Sequence, residues 1–280
     1  MQFLTMQDAS CTHLLVDEVH VRSIEVDILL TVVKLWHLRR NQNLRVVLMS
    51  AARGSAERLA AFFPNGETGL PAPVFELDSP TPFQISTKYL EDMMPDLIAP
   101  PGEGTRVKDY MWNIERACRT TFGGPSRPAP TFPLHDLAQA IAALDRSYPR
   151  QAKFLVFLSG VQAIQTLENE LDDIAPRDED EDGDGEPLWV VHALHAQVPI
   201  EQMQSRLASQ PAGKRVIIVA TDVVETSVTI PDCQVVIDSC VHKRMRAAAS
   251  GPQELAPELI SEDEALQRRG RTGRTSPGVV

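Results

Sequence analysis

The clearest indication of the fold class is the sequence RVIIVATDVVETSVTIPDCQVVID, residues Arg215–Asp238. It begins with the apolar run Val216–Ala220 and ends with a second apolar run, Val235–Ile237. Uninterrupted apolar runs of this length are typical of strands buried on both faces of a parallel sheet. The polar segment between them follows the carboxyl end of a strand, where open α/β sheets bind ligands. Its Thr, Ser and Asp residues are equally typical of a helix N-cap, so this stretch alone leaves both interpretations open.

Strands and helices alternate along the rest of the chain. Further strands are predicted at Thr12–Val16, Arg45–Met49, Val74–Leu77, Lys153–Leu158 and Leu188–Val191. Helices are predicted at Glu25–Arg39, 55–63, Asp136–Tyr148, 161–174 and 199–209, several of them with an apolar stripe at helical spacing. Alternation of this kind predicts an α/β fold with parallel sheets and crossover helices.

The segment 79–83, SPTPF, is rich in proline and predicts a boundary between two lobes, 1–82 and 83–280. Within the second lobe, residues 95–133 contain many Pro and Gly and are predicted to form an irregular excursion with one helix near 106–119. Residues 177–187, RDEDEDGDGEP, are predicted to form an acidic, solvated loop between a helix and a strand.

Composition limits the classes of protein. The chain has 280 residues, 43% of them hydrophobic, which is enough for two lobes with cores of their own. No run of about 18 apolar residues occurs, so no membrane span is predicted. The four cysteines show no CxxC spacing, which favours a reduced cytoplasmic or nuclear setting. The net charge of −11 comes largely from the acidic loop 177–187, so it does not exclude a local nucleic-acid site.

Five short motifs occur in a fixed order along the chain. They are DEVH at Asp17–His20, SAA at Ser50–Ala52, FLVFLSG at Phe154–Gly160, ATDVVETSVTI at Ala220–Ile230 and QRRGRTGR at Gln267–Arg274. Together they resemble motifs II to VI of the DExH-type superfamily 2 helicases, nearest the DEAH-box RNA helicases. The ordered set is far more specific than any one member, because motifs of four residues recur by chance.

This resemblance implies two RecA-like lobes, of which the first is truncated at its N-terminus. No GxxxxGK[ST] phosphate-binding loop precedes DEVH, and the only Gly-Lys pair, Gly213-Lys214, is followed by Arg215. Without that loop, this chain alone is expected to be inactive.

In the first lobe, the resemblance implies that Asp17 and Glu18 hold Mg²⁺, Asp17 through water. Glu18 is then the general base for the attacking water. His20 would couple the nucleotide site to Gln267, and Ser50 would contribute a hydroxyl near the nucleotide. Ala52 stands where the family has Thr, so one of the two hydroxyl contacts cannot form.

In the second lobe, the resemblance implies that hydroxyls and backbone amides contact the phosphates of a nucleic acid. The implied nucleic-acid-binding residues are Ser159, Gly160, Thr221, Asp222 and Thr226, and those implied for the nucleotide are Ser227 and Thr229. Asp222 replaces the usual Asn, and a carboxylate repels phosphate where an amide could donate, so a weaker contact is expected there.

The last motif carries the most distinctive chemistry. Guanidinium groups suit phosphate oxygens, because their fork is planar and permanently charged. The resemblance implies that Arg271 and Arg274 are arginine fingers, that Gln267 joins them in catalysis and that Arg268 binds the nucleotide. A basic patch or a frayed tail is the simpler interpretation of these arginines. The basic cluster Lys243, Arg244 and Arg246 faces either a nucleic-acid channel or solvent.

The function predicted from the sequence is an ATP-dependent RNA helicase that uses ATP or another NTP with Mg²⁺. A single-stranded RNA segment would lie in a channel between the lobes, and protein activators are conceivable partners. Retention of Glu18, Gln267, Arg271 and Arg274 favours this prediction. Ala52, Asp222 and the missing loop favour the alternative, an inactive helicase-like scaffold that binds RNA or protein.

Overall fold

The computed structural model describes residues 12–21, 23–39, 44–51, 56–65, 68–77, 82–89, 133–178, 185–226, 230, 233–246 and 254–280. The chain divides into two compact units, Met1–Ser79 and Pro80–Val280. Ala52, Ser227, Thr229, the centre of the acidic loop (179–184) and the segment 95–132 with its predicted helix lie outside the described residues. In the described part of the chain, no helix is both long and apolar enough to cross a membrane.

The first unit contains a parallel pair of strands and two helices. Strand β1 is His13–Val16, helix α1 is Ile24–Arg39, strand β2 is Arg45–Leu48 and helix α2 is Ala56–Phe62. Leu30 and Val33 of α1 are buried, as the predicted apolar stripe requires. These four elements confirm the strands and helices predicted between Thr12 and Phe63 within one or two residues.

The predicted strand Val74–Leu77 is wrong. The segment has no strand pairing, and the side chains of Phe75 and Leu77 are 85% and 91% exposed. Pro71 and Pro73 lie just before this stretch and lack the N–H groups that a sheet ladder needs. The apolar residues around Glu76 resemble a strand, but the two prolines remove ladder donors directly before it.

The second unit is built on one six-stranded sheet whose neighbouring strands are all parallel. Its members in chain order are β3 (Ile85–Ser86), β4 (Lys153–Phe157), β5 (Trp189–Leu194), β6 (Arg215–Ala220), β7 (Cys233–Asp238) and β10 (Gly278–Val279). They lie in the spatial order β3-β10-β7-β4-β6-β5. The stretch Arg215–Asp238 thus supplies both neighbours of the central strand β4, with β6 on one side and β7 on the other.

Helices cover both faces of this sheet. Helices α3 (Leu134–Ser147) and α4 (Val161–Ile174) pack with Phe154 and Val156 in one apolar cluster, and α5 (Ile200–Ala208) packs with Leu155 and Phe157 in another. Successive residues of β4 therefore point to opposite faces, and all five of them are buried. This explains why the strand is apolar without interruption and confirms the predicted α/β layering.

Three further elements follow the central strands. Helix α6 is the short turn Val223–Thr226, and strands β8 (Val241–Arg246) and β9 (Glu254–Leu259) form an antiparallel hairpin. Helix α7 spans Glu262–Arg269 and leads into the last strand, β10. The hairpin was not predicted, because VHKRMR is rich in basic residues and resembles a polar turn.

Candidate functional site

In the first unit, the predicted nucleotide residues follow two strands that end side by side. Val16 and Leu48 are the last paired residues of β1 and β2. The Met49 amide donates to the Val16 carbonyl at 2.8 Å, and the Val19 amide donates to the Met49 carbonyl at 3.1 Å. These bonds place Asp17 and Glu18 beside Ser50 at the carboxyl edge of the strand pair.

The backbone and side chains of DEVH fix the direction of the Glu18 carboxylate. Glu18 has a positive φ of 53°, which is uncommon for a residue other than glycine. Its amide donates to Asp17 Oδ1 at 2.8 Å, and its Oε2 lies 3.2 Å from Nε2 of His20. The His20 side chain is only 8% exposed, whereas that of Glu18 is 49% exposed. A buried ring therefore orients an accessible carboxylate, and two carboxylates at a strand end are a donor set that suits Mg²⁺.

In the second unit, the carboxyl ends of four neighbouring strands lie in register. Phe157 pairs with both Ala220 and Asp238, and Ala220 also pairs with Leu194. The residues that follow β4 and β6, Ser159 with Gly160 and Thr221 with Asp222, therefore lie along one edge of the sheet. This is the edge at which α/β sheets bind ligands.

The predicted nucleic-acid residues occupy this edge in different ways. Gly160 is the N-cap residue that precedes α4, and a side chain there would meet the Lys243 side chain at 3.2 Å. The basic strand β8 thus lies against Gly160. The Thr221 amide donates to the Leu194 carbonyl at 3.1 Å, Asp222 is exposed, and Thr226 is the last residue of α6.

Helix α7, which contains the first three residues of the last motif, has a capping box at its N-terminus. Ser261 Oγ accepts from the Glu264 amide at 3.3 Å, and Glu264 Oε2 accepts from the Ser261 amide at 2.7 Å. The pattern S-x-x-E is visible in the sequence, so this start was predictable. The helix ends at Arg269, and Gln267 is half-buried in its last turn.

Arg268, for which the sequence predicts a nucleotide contact, is fully buried. Its Nη1 donates to Asp238 Oδ1 at 2.7 Å, and its guanidinium lies 4.8 Å from the ring centroid of Phe157. The side chains of Arg268 and Asp238 are 0% and 9% exposed. The ion pair therefore joins the last turn of α7 to the carboxyl end of β7, and the exposed surface of the motif belongs to other residues.

A second buried contact fixes the segment that follows α7. Thr272 is 1% exposed, and its hydroxyl donates to the carbonyls of Cys233 and Gln234 at 2.9 and 3.1 Å. Arg271 thus lies between two buried attachment points, Arg268 and Thr272. Arg274 is exposed, and its Nε donates to the Gly270 carbonyl at 2.9 Å. The chain then enters β10, so these arginines are not part of a frayed tail.

Gly273 allows this segment to approach strand β3. Its φ is +73°, and an added Cβ would lie 2.5 Å from Ile85 Cγ1. We expect Gly273→Ala to destabilise the second unit by about 2–4 kcal/mol, from left-handed strain plus overpacking. Gly213→Ala is the matched control, because φ is +74° there and nothing lies within 4 Å. Urea unfolding followed by circular dichroism measures both, and equal losses would contradict the packing argument.

A cluster of charged side chains that was not predicted from the sequence joins β8 to α7. Glu264 Oε1 lies 2.7 Å from Arg244 Nη2 and 3.3 Å from His242 Nδ1. Burial lowers the pKa of His242, with Arg244 and Arg268 acting in the same direction, while Glu264 and Asp222 act to raise it. Burial raises the pKa of Glu264, but hydrogen bonds from Ser261 and the charges of His242 and Arg244 leave it below its ordinary value. Glu264 is therefore an ionised acceptor at neutral pH.

Comparison with known proteins places these motifs in a family. Residues 136–276 match the helicase conserved C-terminal domain. The chain is 28% identical over 97% of its length to a probable ATP-dependent RNA helicase spindle-E of Anopheles gambiae, and 28% identical over 95% to ATP-dependent RNA helicase TDRD9 of Danio rerio. It is 30% identical over 95% of its length to the DExH-box ATP-dependent RNA helicase DExH8 of Arabidopsis thaliana. The chain spans only 18%, 19% and 24% of the lengths of these three relatives.

Solved structures show the same fold. The crystal structure of the Escherichia coli DEAH/RHA helicase HrpB superposes on 96% of the chain with a TM-score of 0.63 and 20% sequence identity. A second crystal structure, of the E. coli DExH-box NTPase HrpB, covers 97% with a TM-score of 0.64. In each case the chain covers 27% of the matched protein.

Proposed function

Because the chain belongs to the DExH-type superfamily 2 helicases and carries their conserved C-terminal domain, we propose that it is part of an ATP-dependent RNA helicase. The observation that carries the proposal is the attachment of the arginine-rich segment at both ends. Buried Arg268 and buried Thr272 fix the backbone on either side of Arg271. A segment that only formed a basic patch would have no need of this rigidity, whereas stabilising a developing charge requires preorganised donors.

We assign the catalytic roles in the second unit to Arg271 and Arg274, with Gln267 beside them. Both arginines would donate to oxygens of the transferring phosphoryl group, where negative charge grows in the transition state. Arg268 keeps the proposed nucleotide contact and also positions its neighbours, because its guanidinium is buried against Asp238 and Phe157. Ser227 and Thr229 keep the proposed nucleotide contacts that the family resemblance implies.

In the first unit, Glu18 is the proposed general base and Asp17 the proposed Mg²⁺ ligand, with Glu18 contributing to the same site. Mg²⁺ bound there would supply charge neutralisation on the phosphates. His20 holds the Glu18 carboxylate in one direction through the 3.2 Å contact, and Ser50 lies at the same strand edge. None of the 280 residues is assigned to cradle the phosphates, because the sequence contains no GxxxxGK[ST] loop.

The proposed RNA contacts lie along the carboxyl edge of the six-stranded sheet. Ser159, Gly160, Thr221, Asp222 and Thr226 would bind the backbone of a single-stranded RNA segment. Lys243 adds an ammonium group at this edge, since its side chain lies against Gly160. Phosphate contacts of this kind position a strand without reading its sequence. The proposed setting is the cytoplasm or the nucleus, where RNA is available. Protein activators are proposed as further partners.

Strand displacement on a partly duplex RNA tests the proposal in the full-length protein. We expect the labelled strand to be released with ATP and Mg²⁺, and to stay bound with a non-hydrolysable ATP analogue. RNA binding without nucleotide-dependent release would instead favour the inactive scaffold, the alternative supported by Asp222 in place of Asn and by Ala52 in place of Thr.

A further inference from the structure

Glu264 makes two sets of contacts with its two carboxylate oxygens. Oε2 accepts from the Ser261 amide at 2.7 Å and from Ser261 Oγ at 2.8 Å, both within the cap of α7. Oε1 lies against Arg244 and His242 of strand β8, at 2.7 and 3.3 Å. The Glu264 side chain therefore contacts both the cap of α7, the helix that leads into Arg271 and Arg274, and the basic strand β8 of the hairpin.

Exposure differs sharply within this cluster. The side chain of His242 is 5% exposed and that of Glu264 is 19% exposed, whereas that of Arg244 is 59% exposed. His242 and Glu264 thus form the buried part of the contact, and Arg244 forms the part that a phosphate in solution can reach. Lys243, next to Arg244 in the strand, lies against Gly160 at the sheet edge.

We propose that Glu264 is a positioning residue that couples the basic strand β8 to the arginine-bearing segment after α7, so that RNA bound at β8 changes nucleotide hydrolysis. The proposal rests on the function proposed above. An RNA phosphate that approaches Arg244 competes with Glu264 Oε1 for the same guanidinium. Glu264 then keeps its contacts with His242 and with the cap of α7 but loses its contact with Arg244. The interactions that join β8 to α7 therefore differ between the RNA-bound and RNA-free states. Coupling between two sites requires such a difference in interactions.

Glu264→Gln isolates this contact. Glutamine still accepts at N3 of a capping box, so the helix cap is retained. The substitution removes the charge that Arg244 and His242 face. Glu262→Gln is the matched control, because Glu262 is an acidic residue in the same first turn of α7 and is exposed. It tests whether any effect arises simply from lost negative charge near the helix N-terminus.

The first measurement is hydrogen exchange in the 280-residue chain. We expect Glu264→Gln to raise exchange at the β8 amides and at the amides of Arg271 and Thr272, which donate to Arg268 and Arg269 in the native chain. Glu262→Gln should leave both regions unchanged. Equal exchange in the two variants would overturn the proposal, whatever the activity of the protein.

The second measurement is RNA-stimulated ATP hydrolysis by the full-length protein. We expect Glu264→Gln to lower the ratio of kcat with RNA to kcat without RNA by about tenfold, with the KM for ATP within about twofold, as for the loss of a coupling interaction. Glu262→Gln should match the wild type. Hydrolysis by the wild type with no difference between the two variants would overturn this proposal alone. A wild type that hydrolyses no ATP would remove the proposed function, and with it this inference.

Discussion

Arg271→Ala and Arg274→Ala are each expected to lower the ATP hydrolysis rate of the full-length protein by about 10³-fold or more, the magnitude found for arginine fingers. Charge builds on the transferring phosphoryl group mainly in the transition state, so a guanidinium aimed at it lowers the barrier more than it tightens ATP binding. The fall should therefore appear in kcat rather than in KM. Hydrolysis at saturating ATP without RNA measures it.

Two control variants separate this role from a basic patch. Arg→Lys at either position keeps the charge but loses the planar fork, so hydrolysis should remain strongly reduced. Arg146→Ala removes an exposed arginine of α3 and should leave hydrolysis unchanged. If Arg271 and Arg274 only bound RNA, their loss would weaken RNA binding and its salt dependence while sparing RNA-independent hydrolysis.

Arg215→Met is expected to lower the unfolding free energy of the second unit by about 3–5 kcal/mol, the cost of breaking a buried ion pair. Arg215 is fully buried, and its Nε donates to Asp145 Oδ1 at 2.7 Å. Its two terminal nitrogens donate to four carbonyls, those of Asp145, Tyr148, Pro149 and Ala152. The guanidinium also lies 4.4 Å from the ring centroid of Phe154. These contacts join the first residue of β6 to the end of α3 and the start of β4.

Urea unfolding followed by circular dichroism compares this variant with Arg150→Met. Arg150 pairs with the same Asp145 at 3.2 Å but is 38% exposed, so its loss should cost less than about 1 kcal/mol. The double variant Arg215→Met, Asp145→Leu should recover part of the loss, because removing both partners leaves no buried charge unpaired. Equal losses for Arg215→Met and Arg150→Met would show that the buried contacts do not stabilise the unit.

Long apolar and amphipathic stretches made much of the fold predictable. The runs Val216–Ala220 and Lys153–Leu158 became buried central strands, and the helix predicted at 161–174 has those same bounds. Strands β3 and β10 have two residues each, too few for any period to be visible. The basic strand β8 could not be distinguished from a polar turn, because its apolar residues are interspersed with charges.

The candidate site was predictable in its residues but not in their burial. Motif order indicated Gln267–Arg274, yet only the contact between Arg268 and Asp238, 30 residues apart, shows which arginine is buried. The contacts of Arg215 span 63 to 70 residues, and those of Glu264 to β8 span about twenty, so neither follows from local spacing. The capping box at Ser261 and Glu264 was the one visible signal that Glu264 has a structural role.

The central claim is that this chain contributes to an RNA-dependent nucleotidase. ATP hydrolysis tests it most directly, measured for the full-length wild type and its Glu18→Gln variant across a range of single-stranded RNA concentrations. The wild type should hydrolyse ATP faster as RNA is added. Glu18→Gln should bind ATP but hydrolyse it at least about 10²-fold more slowly, the contribution expected of a general base. Hydrolysis that is equal in the two proteins, or a wild type that shows none with RNA, would contradict the claim.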